Sequence, residues 1–351
     1  MATSEKLCMT RRNVRGRCPI VRTLPILLVV LYFGCCLTNA AYAEISVRVL
    51  LTDNKDLKMP SKDERLTRMG SASGDVHLVG TKYSGVIEVW KGDKGLYIIN
   101  DLPLEDYVKG VVASEMKSSW DIEALKAQAV AARTYAIYQM GNSAPGAPYN
   151  LTSTVLDQAY KGSNGSAGVE QAVNATRGEI LTYDGRPILA FYHSTSGGMT
   201  EDAAEVFGRE LPYLKPVKTG SELSPYFMWE KIIPVSEIEK ALDLQGIKEI
   251  SIESRTASGR AKEISILLES GNANLPATEM RKKMGWDRLP STLITRISRN
   301  NSLMVFEGRG YGHGVGMCQW SALEMARDGM TYRQILEYFY PGTKIQKSED
   351  R

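Results

Sequence analysis

"VVASEMKSSWDIEALKAQAVAARTYAIYQM", residues 111–140, decides how the rest of the chain is read. An apolar run ends at Glu115 and breaks at residues 117–119. From Asp121 onward Leu125, Ala129, Ala132 and Ala136 recur at one-face spacing, which predicts a helix over about residues 121–140. Ser119 and Asp121 are its N-cap candidates. Alanine along that stripe lets another backbone approach closely, so this is a central helix.

Working outward, residues 44–100 alternate apolar and polar side chains in short runs such as "ISVRVLL", "VIEVW" and "LYIIN", the pattern of half-buried strands. "LPLEDYVKGVV" turns helical, with Leu104, Tyr107, Val108 and Val111 on one face. Beyond a turn-rich stop at residues 141–148 come a helix near residues 169–176 and the strands "EILTY" and "PILAFYH". Residues 216–301 change character, with helices at "VSEIEKAL" and "ATEMRKKMG" and strands "KEISIES" and "EISILLE" around "TASGRA". The chain returns through "SLMVFEGRGYGHGVGMCQW" to helices at "SALEMARDG" and "TYRQILEYFYPG". Helices and strands mixed without regular βαβ alternation predict an α+β fold. Its expected parts are a strand-rich region (44–100), a core (101–215 and 302–351) and an inserted subdomain (216–301).

The first 43 residues stand apart. Arg11, Arg12, Arg15, Arg17 and Arg22 precede an uncharged run, residues 23–43, that contains "PILLVVLYFGCCL" and ends in Ala-Tyr-Ala. That is the layout of an export signal cut after Ala43. Left uncut, the run is long enough to anchor in a bilayer, which takes roughly 20 residues. Cys35 follows Tyr-Phe-Gly rather than small residues, which argues against a lipoprotein. Setting the leader aside removes six basic residues and one acidic one, leaving 37 against 39. The working chain is then slightly acidic, and nothing in it points to nucleic acid. Four of the five cysteines also lie in the leader, so Cys318 alone remains and no internal disulfide is possible.

Lys126 and Arg133, seven residues apart, fall within about 20° of each other around the helix. They share a face, which is either a solvated basic surface or part of a site. Glu115 is either a helix-end glutamate or a general acid; desolvation raises a carboxyl pKa and nearby cations lower it. In "FYHSTSGGMTED", residues 191–202, a serine nucleophile lacks the G-x-S-x-G elbow, and His193 and Ser194 in a strand point to opposite faces. Three histidines, one cysteine and no H-E-x-x-H in the chain after the leader make a zinc site weak. "GRGYGHGVGMCQW" has glycine at 308, 310, 312, 314 and 316 but fits neither G-x-G-x-x-G nor a phosphate-binding loop. Alternate glycines strip one face of side chains, for a second backbone or a flat polymeric ligand. His313 and Gln319 are the polar groups displayed there.

"SEMKSSWDIEALKAQAVAARTYA", "FYHSTSGG", "TASGRAKEISI" and "GRGYGHGVGMCQWSALEMARDGMTYRQILEYFYPGTKI" occur in order between residues 114 and 345, within a match that runs from about residue 102. Together they closely resemble the stage II sporulation protein D family, which includes the amidase-enhancer proteins of bacterial cell walls. The resemblance implies a lytic transglycosylase acting on peptidoglycan glycan strands, with Glu115 catalytic and Lys126 and Arg133 in the active site. Tyr192, Ser194, Thr195, Ser196, His313 and Gln319 are expected to line the same cleft. Some members hold zinc through histidines and cysteines at and after His-Ser-Thr-Ser-Gly-Gly. This chain keeps His193 but has no cysteine in residues 199–207, so neither metal nor other cofactor is expected.

A hydrolysing glycosidase usually needs two carboxylates. A lytic transglycosylase manages with one, because the C6 hydroxyl of the substrate is the nucleophile and leaves a 1,6-anhydro end. A water-using glycosidase would need Asp157, Glu201 or Asp202 beside Glu115. The other alternative is a non-catalytic wall-binding protein that stimulates an amidase. Expected partners are glycan strands and a cell-wall amidase, not nucleic acid, with membrane contact only through an uncleaved leader.

Overall fold

The computed structural model describes residues 44–51, 60, 64–163 and 165–348; the expected export signal, residues 1–43, lies outside the described residues. Helices α1 (Leu104–Glu115) and α2 (Ile122–Asn142) form its centre. Asp121, not Ser119, caps α2 by accepting the Glu123 N–H at 2.9 Å. The predicted alanine stripe packs with α1 and α3 (Ala167–Ala175) in one apolar core that holds Leu125, Ala129, Ala132 and Ala136. The opposite face, Ala124, Ala127, Val130 and Ala131, fills a second core. Small side chains on both faces let α2 be buried on both sides.

A five-stranded sheet lies against the first core, in the order Thr67–Ser73, Val86–Gly92, Gly95–Pro103, Ser46–Leu51, Leu151–Thr152. Its pairs are antiparallel except the last, where Val49 lies beside Leu151 in parallel. Val47, Val49 and Leu51 face the core while Leu50 joins Tyr97 and Ile99 on the other side, the alternation read from the sequence. A short helix, α4 (Ala203–Phe207), follows the His-Ser-Thr-Ser-Gly-Gly segment.

Helices α5 (Val235–Leu242) and α6 (Ala277–Met284) pack with two three-stranded sheets around a separate core that includes Ile250, Ile264, Ile266, Met280 and Phe306. The strand Leu303–Arg309, read from the sequence as part of the main core, is the middle strand of one of these sheets. It pairs on one side with Met228–Pro234 and on the other with Ile294–Asn300. Helices α7 (Gln319–Arg327) and α8 (Tyr332–Phe339) then return to the second core, where Leu323, Ile335, Leu336 and Phe339 are buried. The mixed helices and sheets are those of an α+β fold.

Candidate active site

Glu115 is the last residue of α1, and the last turn carries no basic residue. The negative end of the helix dipole therefore disfavours a carboxylate there. The chain later crosses over this helix end. Ala159 donates its N–H to Glu115 Oε1 at 2.9 Å, and Lys161 donates its N–H to Ser114 Oγ at 3.1 Å. Gly110 makes the crossing possible, because a Cβ there would collide with the Tyr160 ring. On the other side Gln319 Nε2 lies 3.5 Å from Glu115 Oε2 and 3.4 Å from Gln128 Oε1. Burial pushes the Glu115 carboxyl above its ordinary value, opposed by the Ala159 N–H, the Gln319 amide and the charge of Lys161. An open cleft of about 600 Å³, lined by residues 113–119 and Ser166, adjoins it.

Gln319 reaches this position because Met317–Cys318 pairs in parallel with Tyr192–His193, which sets the start of α7 over α2. The same pairing brings in Tyr192, whose phenol accepts from Gln158 Nε2 at 3.1 Å. Gln158 Oε1 in turn accepts from the Tyr107 hydroxyl at 3.1 Å. Burial, followed by the charge of Glu115, holds the Tyr192 hydroxyl well above its usual pKa. Glu115, Tyr192 and Gln319 are thus brought together. Gln128, Gln158 and Lys161 join them unforeseen, and a glutamine inside an alanine-rich run was the one readable signal, since a polar side chain on a buried helix needs a partner.

The two helix cations do not join Glu115. Lys126 pairs with Glu123 at 2.6 Å and lies over the Tyr332 ring. Arg133 is fully buried and corrects the expectation of a substrate contact. Its Nε and Nη2 bind the two Glu105 carboxylate oxygens at 2.8 and 2.7 Å, and its Nη1 reaches the Glu179 carbonyl at 3.1 Å. A helix buried on both sides leaves an arginine only an internal partner.

The Thr195, Ser196 and His313 side chains are engaged within the fold rather than at the cleft beside Glu115, contrary to the expected lining, while Ser194 is half-buried and its backbone is tied to α7. Thr195 Oγ1 meets Ser224 Oγ at 2.6 Å, Ser196 Oγ meets Thr219 Oγ1 at 2.6 Å, and the Ser194 carbonyl accepts the Trp320 N–H at 3.1 Å. The His313 ring packs against Phe191, His193 and Phe207, and burial next to Arg281 pushes its pKa down to about 3. The glycines answer the question they raised: Gly310 and Gly316 meet backbone, while Gly308, Gly312 and Gly314 lie against the Trp229, His193 and Arg260 side chains. Gly310, Gly312, Gly314 and Gly316 all have positive φ, and a Cβ on Gly310 would lie 2.6 Å from the Thr195 carbonyl oxygen. One on Gly316 would overlap the Phe191 carbonyl.

The carboxylates considered as partners for Glu115 are engaged elsewhere. Asp157 accepts from Tyr135, Gln139 and Thr152; Glu201 accepts from Thr256 and Ser258; Asp202 caps α4 and pairs with Lys215. His193 Nε2 is buried without a partner among the described residues. No group of three or more His, Cys, Asp or Glu side chains among the described residues is arranged to hold a metal.

Residues 92–183 match the family model described as Stage II sporulation protein, and residues 217–316 match one described as a domain of unknown function. An uncharacterised protein of Brachyspira hyodysenteriae is 35% identical over 274 residues, covering 76% of this chain and 73% of that one. The stage II sporulation protein D of Bacillus subtilis is 34% identical over 267 residues, covering 72% and 76%. The amidase enhancer of Bacillus subtilis is 31% identical over 291 residues, covering 68% of this chain and 40% of its own length. The stage II sporulation protein D of Bacillus subtilis, above 30% identical and matched over more than two thirds of its length, carries the assignment together with the family model: the chain belongs to the stage II sporulation protein D family.

Proposed function

We propose that this protein is an exported peptidoglycan lytic transglycosylase with Glu115 as its single acid and base. The observation that carries the reading is the setting of Glu115. Its carboxyl has a raised pKa, stands beside an open cleft, and faces the Gln319 amide rather than a second carboxylate. A carboxyl that holds its proton can protonate the glycosidic oxygen after N-acetylmuramic acid. Left anionic, it accepts the C6 hydroxyl proton, and the 1,6-anhydro ring closes without water. Gln319 donates to the anion between the steps, and the Tyr192 hydroxyl lies close enough to respond to its charge.

The test is mass analysis of products from peptide-free and intact glycan strands. Glu115→Gln keeps the shape but loses the transferable proton, so the release of 1,6-anhydro fragments should fall at least about 10²-fold. Fragments heavier by one water would identify a hydrolase instead. The relative named amidase enhancer favours a second reading, in which the protein binds the wall and stimulates an amidase. Full amidase stimulation by the wild type with no fragment released from any strand would establish that reading. Export rests on the basic and apolar leader. A reporter active only outside the cytoplasmic membrane, fused after residue 60, should be active.

A further inference from the structure

A second cleft, of about 450 Å³, opens where the insert meets the glycine segment, with Tyr226, Trp229, Glu230, Lys231, Asp287 and Tyr311 in its walls. Its rings are held from behind by the backbone. The Tyr226 carbonyl accepts the Gly310 N–H at 3.0 Å, and the Tyr226 N–H donates to Ser224 Oγ at 3.1 Å. Ser224 is tied to Thr195, and Thr195 exchanges backbone hydrogen bonds with Tyr311 at 3.0 and 2.8 Å. The Tyr226 and Tyr311 rings therefore sit 4.8 Å apart at 40°, while Tyr226 remains 46% exposed. Trp229 lies over Gly308, where any side chain would overlap the indole. The Tyr311 hydroxyl donates to Asp287 Oδ1 at 3.4 Å.

Fixed aromatic rings, Tyr226 exposed and Trp229 and Tyr311 half-buried, beside a carboxylate and an ammonium are the chemistry that recognises a sugar. The ring faces take the C–H side of a pyranose, and the charged groups take its hydroxyl and acetamido groups. The rings are also pre-organised, so little ordering cost is left for binding. We propose that this cleft binds N-acetylhexosamine units of a glycan strand, as a site separate from Glu115. The choice of N-acetylhexosamine rests on the transglycosylase reading; the saccharide chemistry of the cleft does not.

Calorimetric titration with chitohexaose, the β-1,4 hexamer of N-acetylglucosamine, tests it in the Glu115→Gln protein, where no turnover intervenes. Tyr226→Ala and Asp287→Asn should each weaken binding about tenfold, the weight of one good aromatic or charge-assisted contact. Tyr226→Phe, which keeps the ring, should stay within about twofold. Parent-like affinity in Tyr226→Ala at an unchanged melting temperature would overturn the proposal. If that variant does not fold, Asp287→Asn decides by the same criterion. Weakened binding in these variants supports the cleft even if the Glu115-intact protein cleaves no strand, a result that overturns only the catalytic reading.

Discussion

Glu115 sits between opposed influences: a helix end and burial that disfavour its charge, and two N–H donors with Lys161 that favour it. Its position just before the alanine helix was readable. The sign of its shift was not, because the groups that decide it come from residues 159–161 and 319. A carboxyl whose folded pKa is raised has a linkage with a definite sign. Its favourable contribution is complete below the ordinary value of 4.5 and is lost as pH rises through the higher folded value. Glu115→Gln, which never ionises, should therefore match the wild type in melting temperature below that value and melt higher than it near neutral pH. A difference that does not change with pH would show a carboxylate as well solvated in the fold as in the unfolded chain.

Among the elements, α2 was the most legible. Its start, its Asp121 cap and its alanine stripe follow from local pattern, as do α5, α6 and the hairpin Ile247–Arg255 with Ala261–Leu268. Periodicity shows which residues share a face but not what covers it. Lys126 and Arg133 do lie on the same helix, yet Glu105 of α1, a residue 28 positions earlier, claims Arg133. Arg133→Ala would strand a buried carboxylate and should cost roughly 3–5 kcal/mol in urea denaturation. Pairing it with Glu105→Leu should recover part of that loss, because both charges leave together. Recovery stays partial since Glu105 also accepts the Gly178 N–H at 3.2 Å. A loss of turnover in Arg133→Ala at unchanged stability would mean that the guanidinium reaches substrate after all. The glycine run was half legible in the same way, since spacing announced a close approach but not that the partner was residues 191–196.

In the whole molecule the insert is fastened to the core by Arg260. Its guanidinium donates to the Ser196 carbonyl at 2.8 Å and the Met199 carbonyl at 2.9 Å, and nearby Thr256 and Ser258 donate to Glu201 at 2.6 and 2.7 Å. None of this was readable, because "TASGRA" looks like an ordinary hairpin turn. Arg260→Met would leave two buried carbonyls without donors, at about 1–3 kcal/mol each. The wild type should unfold in a single calorimetric transition and this variant in two, the earlier one belonging to the insert. A single transition in both would show that the strand Leu303–Arg309 couples the two parts without Arg260. The glycine segment also bears on ancestry. The domain model for residues 217–316 ends at Gly316, so a recombination event that exchanged this module would carry residues 310–316 into a host's own 191–197. Along that seam Gly310 and Gly316 meet backbone, which is common to every host, while Gly312 lies against the His193 side chain. Ancestry is constrained where side chains cross the joint: an insert that lost Thr256, Ser258 or Arg260 would deprive the Glu201 carboxylate or the Ser196 and Met199 carbonyls of those donors, so there the two sides have to evolve in step.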